Sequence, residues 1–336
     1  MLKVCVLGSG SWGTAISQHL GNNGVIVKLW GRNVTQIEEI TKKRENTKYL
    51  PQISLSENIF PTNDLAEAIN DVSAIILCLP SASTRSILET IKSIANFENR
   101  RPPIISTAKG LEKTSNKRIS QVISEVFNDK IPNFVISGPS FALEVAKGLP
   151  TAIVLAREGE NFEEEFSFCT RLFHRGSMRI YTSQDLIGVE LGGILKNIIA
   201  IASGIGDGLQ LGMSARAALL TRGLKELERL VKAEGGSKKT AAGLSGLGDL
   251  ILTATGELSR NRRFGIFLGE GHSIEESKTK VGQTIEAVTT AQSALELANT
   301  KGIEVPIIEQ VAEILSCKTT PLKALQDLMT REQKDE

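Results

Sequence analysis

The spacing of apolar and polar residues changes near the middle of the chain. In the first part, short runs of branched apolar residues alternate with amphipathic stretches, which predicts β-strands separated by helices. Strands are predicted at residues 2–7, 25–30, 74–79, 103–106, 134–137, 151–155 and 177–181, with a short one near residue 59. Helices are predicted at residues 11–20 and 34–44 and from residue 65. This alternation predicts an α/β fold with a Rossmann-like, mostly parallel sheet.

In the second part, apolar residues recur at helical spacing over residues 186–202, 215–233, 285–298 and 306–315, and strand signals stop. This pattern predicts an all-α domain. We therefore expect a dinucleotide-binding domain at residues 1–185 and a helical substrate domain at residues 186–332. Two such domains are expected to leave a cleft, where ligands commonly bind.

A glycine motif follows the first predicted strand. Gly8, Gly10 and Gly13 form GxGxxG at the start of the first predicted helix. Gly8 permits a tight turn, Gly10 lets the backbone approach a pyrophosphate, and Gly13 lets helix and strand pack closely. The bare pattern is weak evidence, but its place between strand and helix predicts a dinucleotide site.

The second predicted strand ends without the acidic residue that usually binds the adenosine ribose. Arg32 stands there instead. A guanidinium at this place can bind a 2′-phosphate, which favours NADP over NAD. The alternative is a solvated surface arginine.

Lys196 and Asn197 interrupt a helical stretch that is otherwise almost uncharged. A buried ammonium requires a partner or a lowered pKa, and an amine with a lowered pKa exchanges protons near neutral pH. Lys196 is therefore the first candidate for a general acid/base. Gly192 and Gly193 lie one turn earlier and are expected to leave room for a ligand. The alternative is a lysine whose amine reaches solvent along the helix surface.

Two further segments follow predicted strands, at the edge where ligands of parallel sheets collect. Lys109 comes just after the strand at residues 103–106 and is a candidate substrate contact. Gly138, Ser140 and Ala142 come after the strand at residues 134–137, where backbone amides and a hydroxyl can meet a polar ligand. A plain loop explains each of these residues equally well.

A cluster of basic residues is predicted at the start of a helix that Ser259 caps. Arg260 and Asn261 begin its first turn, where acidic residues are usually preferred, so a bound phosphate dianion is expected there. A solvated basic face is the alternative. Asp249 follows a glycine-rich turn and can orient the amine of Lys196, accept a substrate hydroxyl, or simply stabilise the turn.

The amino-acid composition argues against several classes of binding partner. Lys and Arg number 39 and Asp and Glu 38, so a net charge of +1 provides no field for nucleic acid or an anionic membrane. No apolar run reaches the ~18 residues of a membrane span, and the N-terminus does not resemble a signal peptide. The four cysteines are far apart, which argues against disulfides and a metal site and fits a cytoplasmic protein.

Seven segments, taken in order, resemble the bacterial-type NAD(P)-dependent glycerol-3-phosphate dehydrogenases. They are GSGSWGTA, LWGRN, STAKGLE, SGPSFALEVAKG, ELGGILKNIIAIASGIGDGLQLG, GLSGLGDLILTATGELSRNRRFG and GQTIEA. The resemblance implies reduction of dihydroxyacetone phosphate to sn-glycerol 3-phosphate by NAD(P)H, in the cytoplasm, supplying glycerophospholipid synthesis. In the segment after Gln283 the family often has Val-Val-Glu-Gly, whereas this chain has Thr-Ile-Glu-Ala.

The resemblance also implies site residues. Cofactor contacts would be Ser11, Trp12, Arg32, Lys109, Ala142, Arg260, Thr284 and Glu286. Substrate contacts would be Lys109, Gly138, Ser140, Lys196, Asp249, Ser259, Arg260 and Asn261. Lys196 would be the acid/base, with Lys109 and Asp249 beside it in the catalytic set. We expect a homodimer.

Two other functions remain open on the residues alone. A β-hydroxyacid or 6-phosphogluconate-type dehydrogenase also joins a dinucleotide domain to a helical one, but it usually places an asparagine four positions after its lysine, where this chain has Ala200. A nicotinamide-binding regulator without turnover would need the glycine motif but neither an acid/base nor a second phosphate site.

Overall fold

The computed structural model describes residues 2–94 and 97–332. The chain forms two compact units. The first contains Met1–Ala108 and Lys117–Glu190, and the second contains Lys109–Asn116 and Leu191–Glu336. The division between Glu190 and Leu191 lies a few residues beyond the predicted domain boundary, and the second unit also takes the short segment that begins at Lys109.

An eight-stranded sheet forms the centre of the first unit, in the order β3-β2-β1-β4-β5-β6-β7-β8. The strands are β1 Lys3–Leu7, β2 Ile26–Trp30, β3 Ile59–Thr62, β4 Ile75–Leu77, β5 Ile104–Ser106, β6 Asn133–Ser137, β7 Thr151–Ala156 and β8 Met178–Ser183. Neighbouring strands pair in parallel except β6 and β7, which are antiparallel. The predicted α/β fold with a mostly parallel sheet is confirmed.

Helices cover both faces of this sheet, as the alternation of side chains along β1 shows. Val4 and Val6 belong to one buried apolar cluster, and Cys5 and Leu7 belong to another. The helices of the first unit are α1 Ser11–Asn22, α2 Val34–Lys43, α3 Leu65–Ile69, α4 Ser81–Ser93, α5 Phe97–Arg100, α6 Ile119–Phe127, α7 Ala142–Ala146 and α8 Glu163–Phe173. The strand order reverses between β1 and β4, so the carboxyl end of β1 lies where such sheets bind ligands.

The second unit is helical, as predicted. Its long helix α9, Leu186–Gly208, begins in the last residues of the first unit. The other helices are α10 Gly212–Ala233, α11 Lys238–Ala241, a π-helix at Leu244–Gly248, α12 Asp249–Thr255, α13 Arg260–Gly269, α14 Ile274–Val281, α15 Ala287–Thr300, α16 Pro306–Leu315 and α17 Pro321–Met329.

Helix α9 is the most apolar long element of the chain. Its length and a mean hydropathy of 1.6 over 18 residues satisfy the criteria for a membrane span, although charged residues interrupt the run. However, 89% of that stretch is buried within the protein. This burial is typical of a helix in a protein core.

Candidate functional site

The glycine turn after β1 requires glycine at two of its three motif positions. Gly8 has a φ of 119°, and a Cβ there would lie 2.4 Å from the carbonyl oxygen of Cys78. A Cβ on Gly13 would lie 1.8 Å from the carbonyl oxygen of Gly8. At Gly10, which precedes α1, a Cβ would meet nothing within 4 Å. Open space therefore borders the helix N-terminus, where unpaired N–H groups suit a pyrophosphate.

Two polar side chains that the sequence did not single out hold this turn, the buried Asn46 and the half-buried Gln36. Asn46 donates to the carbonyl oxygen of Ser9 at 2.8 Å and to Oγ1 of Thr14 at 2.7 Å. Gln36 also donates to Ser9, at 2.8 Å. Because these bonds fix the backbone between Gly8 and Gly10, the turn is shaped without a ligand.

The neighbouring residues that were predicted to contact cofactor lie at the start of α1 and just after β2. Ser11 begins α1 and donates from Oγ to the carbonyl oxygen of Tyr49 at 2.8 Å, and Trp12 packs against the core from the same turn. Arg32 is exposed two residues after β2 ends. Asn33 then caps α2 by accepting a bond from the backbone N–H of Gln36. The residues present fit an adenine dinucleotide at this end of the sheet.

The predicted acid/base lies in a buried network of the second unit. Lys196 donates to Oδ1 of Asp249 at 2.9 Å and to Oγ1 of Thr253 at 2.5 Å. Lys109 donates to the other oxygen of Asp249 at 2.6 Å. One carboxylate thus bridges two lysines. The side chains of Lys196 and Asp249 are only 6% and 2% exposed, which excludes the alternative of a solvated lysine.

The charges of this network control its ionisation. Burial lowers the pKa of Lys196 to about 7, and the positive charges of Lys109 and Arg260 act in the same direction while Asp249 opposes them. Burial alone would raise the pKa of Asp249, but the two lysines outweigh it and hold that pKa below its usual range. At neutral pH the carboxylate is therefore ionised, and Lys196 exists in both protonation states.

The amine retains one donor for a ligand. A protonated lysine has three N–H donors, and two of those of Lys196 go to Asp249 and Thr253. Among the residues that the structure describes, the third has no partner within hydrogen-bond distance. A carbonyl oxygen that accepts this bond would receive a proton from a group with a pKa near neutrality.

Two expectations about this region were wrong. The segment before Asp249 is not a glycine turn but a π-helix, and Asp249 is the first residue of α12. Gly192 does not leave room for a ligand, because a Cβ there would lie 3.0 Å from the carbonyl oxygen of Ser245 and 3.2 Å from the backbone of Gly246. The small residue lets the π-helix approach α9, and this brings the carboxylate to Lys196. The spacing of Thr253, four residues after Asp249 on one helix face, was a signal that sequence reasoning missed.

The predicted phosphate site is the N-terminus of α13. Ser259 caps this helix by accepting a bond from the backbone N–H of Arg262 at 3.2 Å, as predicted. Arg260 is exposed and donates to the carbonyl oxygen of Thr284 at 3.1 Å. The amide of Asn261 donates to Oδ1 of Asn197 at 2.9 Å, and its own Oδ1 is buried without a partner in the described structure. An unpaired buried acceptor beside the lysine helix suits a ligand hydroxyl.

The remaining predicted residues fall in both units. Gly138 follows β6 with a φ of 145°, Ser140 donates to its carbonyl oxygen at 3.1 Å, and Ala142 begins α7, all in the first unit. Thr284 and Glu286 precede α15 in the second unit. The carboxylate of Glu286 lies close enough to favour the charged form of Arg260. Within residues 2–94 and 97–332, no group of three or more His, Cys, Asp or Glu side chains could hold a metal ion.

Comparison with known proteins identifies the family that the chain matches. The sequence model of the NAD-dependent glycerol-3-phosphate dehydrogenase N-terminus matches residues 3–163, and that of the C-terminus matches residues 185–326. A glycerol-3-phosphate dehydrogenase [NAD(P)+] of Carboxydothermus hydrogenoformans is 45% identical, covering 100% of this chain and 98% of the relative. One from Stenotrophomonas maltophilia is 41% identical, covering 99% of this chain and 96% of the relative.

A crystal structure of glycerol-3-phosphate dehydrogenase from Coxiella burnetii superimposes with a TM-score of 0.92 at 39% identity. The match covers 98% of this chain and 99% of the other. Both halves of the chain thus match one enzyme family over nearly their full length. The chain therefore belongs to the NAD(P)-dependent glycerol-3-phosphate dehydrogenases. These enzymes act on a small-molecule substrate and use NAD or NADP.

Proposed function

We propose that the chain reversibly reduces dihydroxyacetone phosphate to sn-glycerol 3-phosphate, with Lys196 as the general acid of reduction and the general base of oxidation. The observation that carries this proposal is the buried amine with a pKa near 7, held by two partners and left with one donor. Reduction of a ketone needs a proton at the oxygen as well as a hydride at the carbon. Lys196 is the group in this network with the chemistry to supply that proton.

When bound, the reduced nicotinamide supplies the hydride to the ketone carbon. The carbonyl π electrons move to oxygen, and Lys196 donates the proton of its third N–H group to the developing alkoxide. Asp249 and Thr253 hold the amine in one direction while this happens, because both accept from it. The neutral amine regains a proton readily at pH 7, since its pKa lies close to that value. Oxidation follows the same steps in reverse.

Lys109 and Asp249 complete the proposed catalytic set without exchanging the proton. Asp249 keeps a negative charge between two ammonium groups, which offsets part of the cost of burying them. Lys109, whose side chain is 24% exposed, is more accessible than Lys196 and is available to contact substrate and cofactor. Both are expected to stabilise the oxyanion through charge.

The substrate phosphate is assigned to the first turn of α13. Arg260 supplies a positive charge, and the helix N-terminus supplies unpaired N–H groups. Asn261 and Ser259 complete this end, with the unpaired Oδ1 of Asn261 free to accept a substrate hydroxyl. An anchored phosphate fixes the orientation of the ketone, which is a large part of the rate that such a site can provide.

In the first unit, the residues Gly138, Ser140 and Ala142 are assigned to contacts with substrate and nicotinamide. Gly138 requires glycine, because a Cβ there would lie 2.9 Å from the backbone of Ile153 and its φ is 145°. The backbone is therefore held in a shape that presents its polar groups after β6. Arg32 is assigned to the 2′-phosphate of NADP, since it is exposed and no carboxylate ends β2.

The product, sn-glycerol 3-phosphate, is a phosphorylated triol whose free hydroxyls acyl-transfer reactions can acylate. We therefore place the enzyme before glycerophospholipid synthesis, and we place it in the cytoplasm. All four cysteines are free thiols in the structure, which agrees with a reducing compartment. Localisation of a tagged full-length chain in cell fractions tests this placement.

A homodimer is the proposed assembly. The large apolar side chains that are exposed on the second unit include Leu211, Met213, Leu322 and Met329. Leu211 and Met329 line a cavity of about 630 Å³ between α9, α10, α16 and α17, and Met213 and Leu322 are next in sequence to residues that line it. Exposed apolar surface of this kind is typical of a protein interface. Light scattering with size-exclusion chromatography is expected to give twice the monomer mass.

The activity is tested by following NADPH absorbance after dihydroxyacetone phosphate is added to the purified chain. We expect rapid oxidation of NADPH with this substrate and far slower oxidation with unphosphorylated dihydroxyacetone or a 3-keto acid. Equal rates with all three would remove the phosphate assignment. No oxidation with any of them would support a nicotinamide-binding regulator instead.

A further inference from the structure

Two pairs of glycines bring α9 and α13 into direct backbone contact. Gly204 and Gly208 lie one turn apart on α9, and Gly265 and Gly269 lie one turn apart on α13. Each faces a backbone oxygen of the other helix. A Cβ on these four residues would lie 2.1, 2.3, 2.2 and 2.4 Å, respectively, from that oxygen. No side chain larger than hydrogen fits at this separation.

The backbone conformation does not explain these glycines. None of the four has a positive φ, so an alanine could adopt the same helical conformation. Glycine is also one of the least favourable residues within a helix. Close approach of the two helices is therefore the feature that requires them.

The contact has a fixed register that ends at the proposed site. Asn197 and Asn261, 64 residues apart, are joined by a side-chain hydrogen bond of 2.9 Å. Ile201 faces Gly265 and Ile205 faces Gly269, at the same sequence separation and at successive turns. The two helices thus run in the same direction. Lys196 precedes the first residue of this series on α9, and Arg260 precedes it on α13.

A partly buried ion pair restrains the same contact against sliding. Oδ2 of Asp207, near the end of α9, accepts from Nε of Arg262 in the first turn of α13 at 2.7 Å. The other oxygen of Asp207 accepts from Nε of Arg216 on α10 at 2.9 Å. The side chains of Asp207 and Arg262 are 12% and 15% exposed, so this pair is little screened by water.

We propose that the glycine contact between α9 and α13 is a positioning device that sets the distance from the amine of Lys196 to the anion-binding end of α13. This distance selects a short phosphorylated ketone over other carbonyl substrates. The proposal rests on the proposed function, because it assumes that these two groups act on the carbonyl and phosphate ends of one substrate. The glycines and Asp207 are positioning residues that touch neither end.

The test uses Gly265→Ala. Ordinary van der Waals contact begins at 3.4 Å, and the added carbon would lie 2.2 Å from the oxygen of Ile201, so the helices must separate by about 1 Å. A misplacement of this size is expected to reduce kcat/KM for dihydroxyacetone phosphate by about 100-fold. Gly206→Ala on α9 is the matched control, since its Cβ would meet only a Leu211 methyl carbon at 3.8 Å. It should change kcat/KM less than twofold.

The decisive readout is the ratio of kcat/KM for dihydroxyacetone phosphate to that for unphosphorylated dihydroxyacetone. Only the phosphorylated substrate uses both ends of the site, so Gly265→Ala should reduce the ratio by more than tenfold. The inhibition constant of inorganic phosphate should stay within threefold of wild type. A variant that is merely less folded loses both activities in proportion and keeps the wild-type ratio, which would overturn the proposal.

Asp207→Asn is the second variant, because it weakens the tie to Arg262 without inserting an atom. We expect a smaller reduction of the same ratio, by about three- to tenfold, so the proposal does not depend on Gly265→Ala folding. An unchanged ratio in Asp207→Asn would overturn it as well. Wild-type chain without activity toward dihydroxyacetone phosphate would instead refute the proposed function, so the two failures are distinguishable.

Discussion

Lys196 and Asp249 form a buried ion pair with 2.9 Å between the amine and Oδ1, and each depends on the other for its ionisation. Burial lowers the pKa of Lys196 to about 7, and the carboxylate prevents it from falling further. Breaking a buried pair by removal of one partner usually destabilises a protein by about 3–5 kcal/mol, whereas the intact pair adds little net stability. The pair therefore matters more for the pKa of Lys196, and so for function, than for the stability of the fold.

Lys196→Met should remove the proton donor while keeping the length of the side chain. General acid–base catalysis usually contributes about 10²–10⁴-fold, so we expect kcat to fall by at least 10². The dissociation constant of NADPH, measured by fluorescence titration, should stay within threefold, because the glycine turn lies on other elements. Turnover at the wild-type rate would eliminate the role of Lys196.

Asp249→Asn should lower the pKa of Lys196 below its present value, because the charge that favours the ammonium is lost. The pH at which reduction declines is expected to move down by about 1 to 3 pH units. Thr253→Val is the matched control, since it removes a hydrogen bond to the same amine without removing a charge. A shift of equal size in both variants would show that hydrogen bonding, not charge, sets the pKa.

Arg260→Ala should weaken phosphate binding at the start of α13. Loss of a charge-assisted hydrogen bond costs about 1.5–3 kcal/mol, so KM for dihydroxyacetone phosphate should rise about 10- to 100-fold. Arg263→Ala, which changes an exposed arginine of the same helical turn, should leave KM within twofold. An unchanged KM in Arg260→Ala would contradict the assignment of the phosphate.

Arg32→Ala should reduce the preference for NADP. If the guanidinium binds the 2′-phosphate, kcat/KM should fall about tenfold or more with NADPH and less than twofold with NADH. Lys42→Ala, at an exposed cation of α2, provides the control. Equal losses with both cofactors would show that Arg32 does not distinguish them.

Glu226 makes stability depend on pH away from the proposed site. It accepts from the backbone N–H groups of Ile307 and Ile308 at 2.7 and 3.0 Å, and burial raises its pKa to about 7. Between its ordinary value of 4.5 and 7 the folded state binds more protons than the unfolded state, so the free energy of unfolding should decrease as pH rises, by at most about 3 kcal/mol.

Urea unfolding at several pH values measures this decrease. Glu226→Gln should flatten the dependence between pH 4.5 and 7, whereas Glu228→Gln, at a neighbouring position of α10, should retain it. The same slope in Glu226→Gln and wild type would assign the effect to other groups.

Local sequence predicted the fold well because the central strands of the first unit, such as β4 and β5, are fully buried and their apolar runs are continuous. The antiparallel pairing of β7 was not predictable in this way, because a buried strand has the same pattern in either direction. Helices α12 and α14 were also missed, whereas the start of α13 at Ser259 was predicted. The two missed helices have only seven and eight residues, so few apolar positions show the helical period.

The candidate site was predicted only in part, because some of its residues have a local sequence signal and others are brought together by tertiary structure. A lysine in an apolar helix is a local signal, so Lys196 was identified from the sequence. The contact of Asp249 with both lysines depends on the π-helix and on the position of Lys109 in the second unit, which no local pattern shows. Asn46 was missed because its hydrogen-bond partners are determined by tertiary structure, whereas Thr253 was missed although its spacing from Asp249 was a local signal.

The most direct test of the central claim is the pH dependence of kcat/KM in both directions of the reaction. With a pKa near 7 for Lys196, reduction of dihydroxyacetone phosphate should be constant below pH 7 and fall tenfold per pH unit above it. For oxidation of glycerol 3-phosphate, kcat/KM should instead rise through pH 7 to a plateau. The pH-dependent part of both profiles should be absent from the residual activity of Lys196→Met. Profiles that are flat between pH 6 and 9, or identical limbs in the variant, would contradict the assignment.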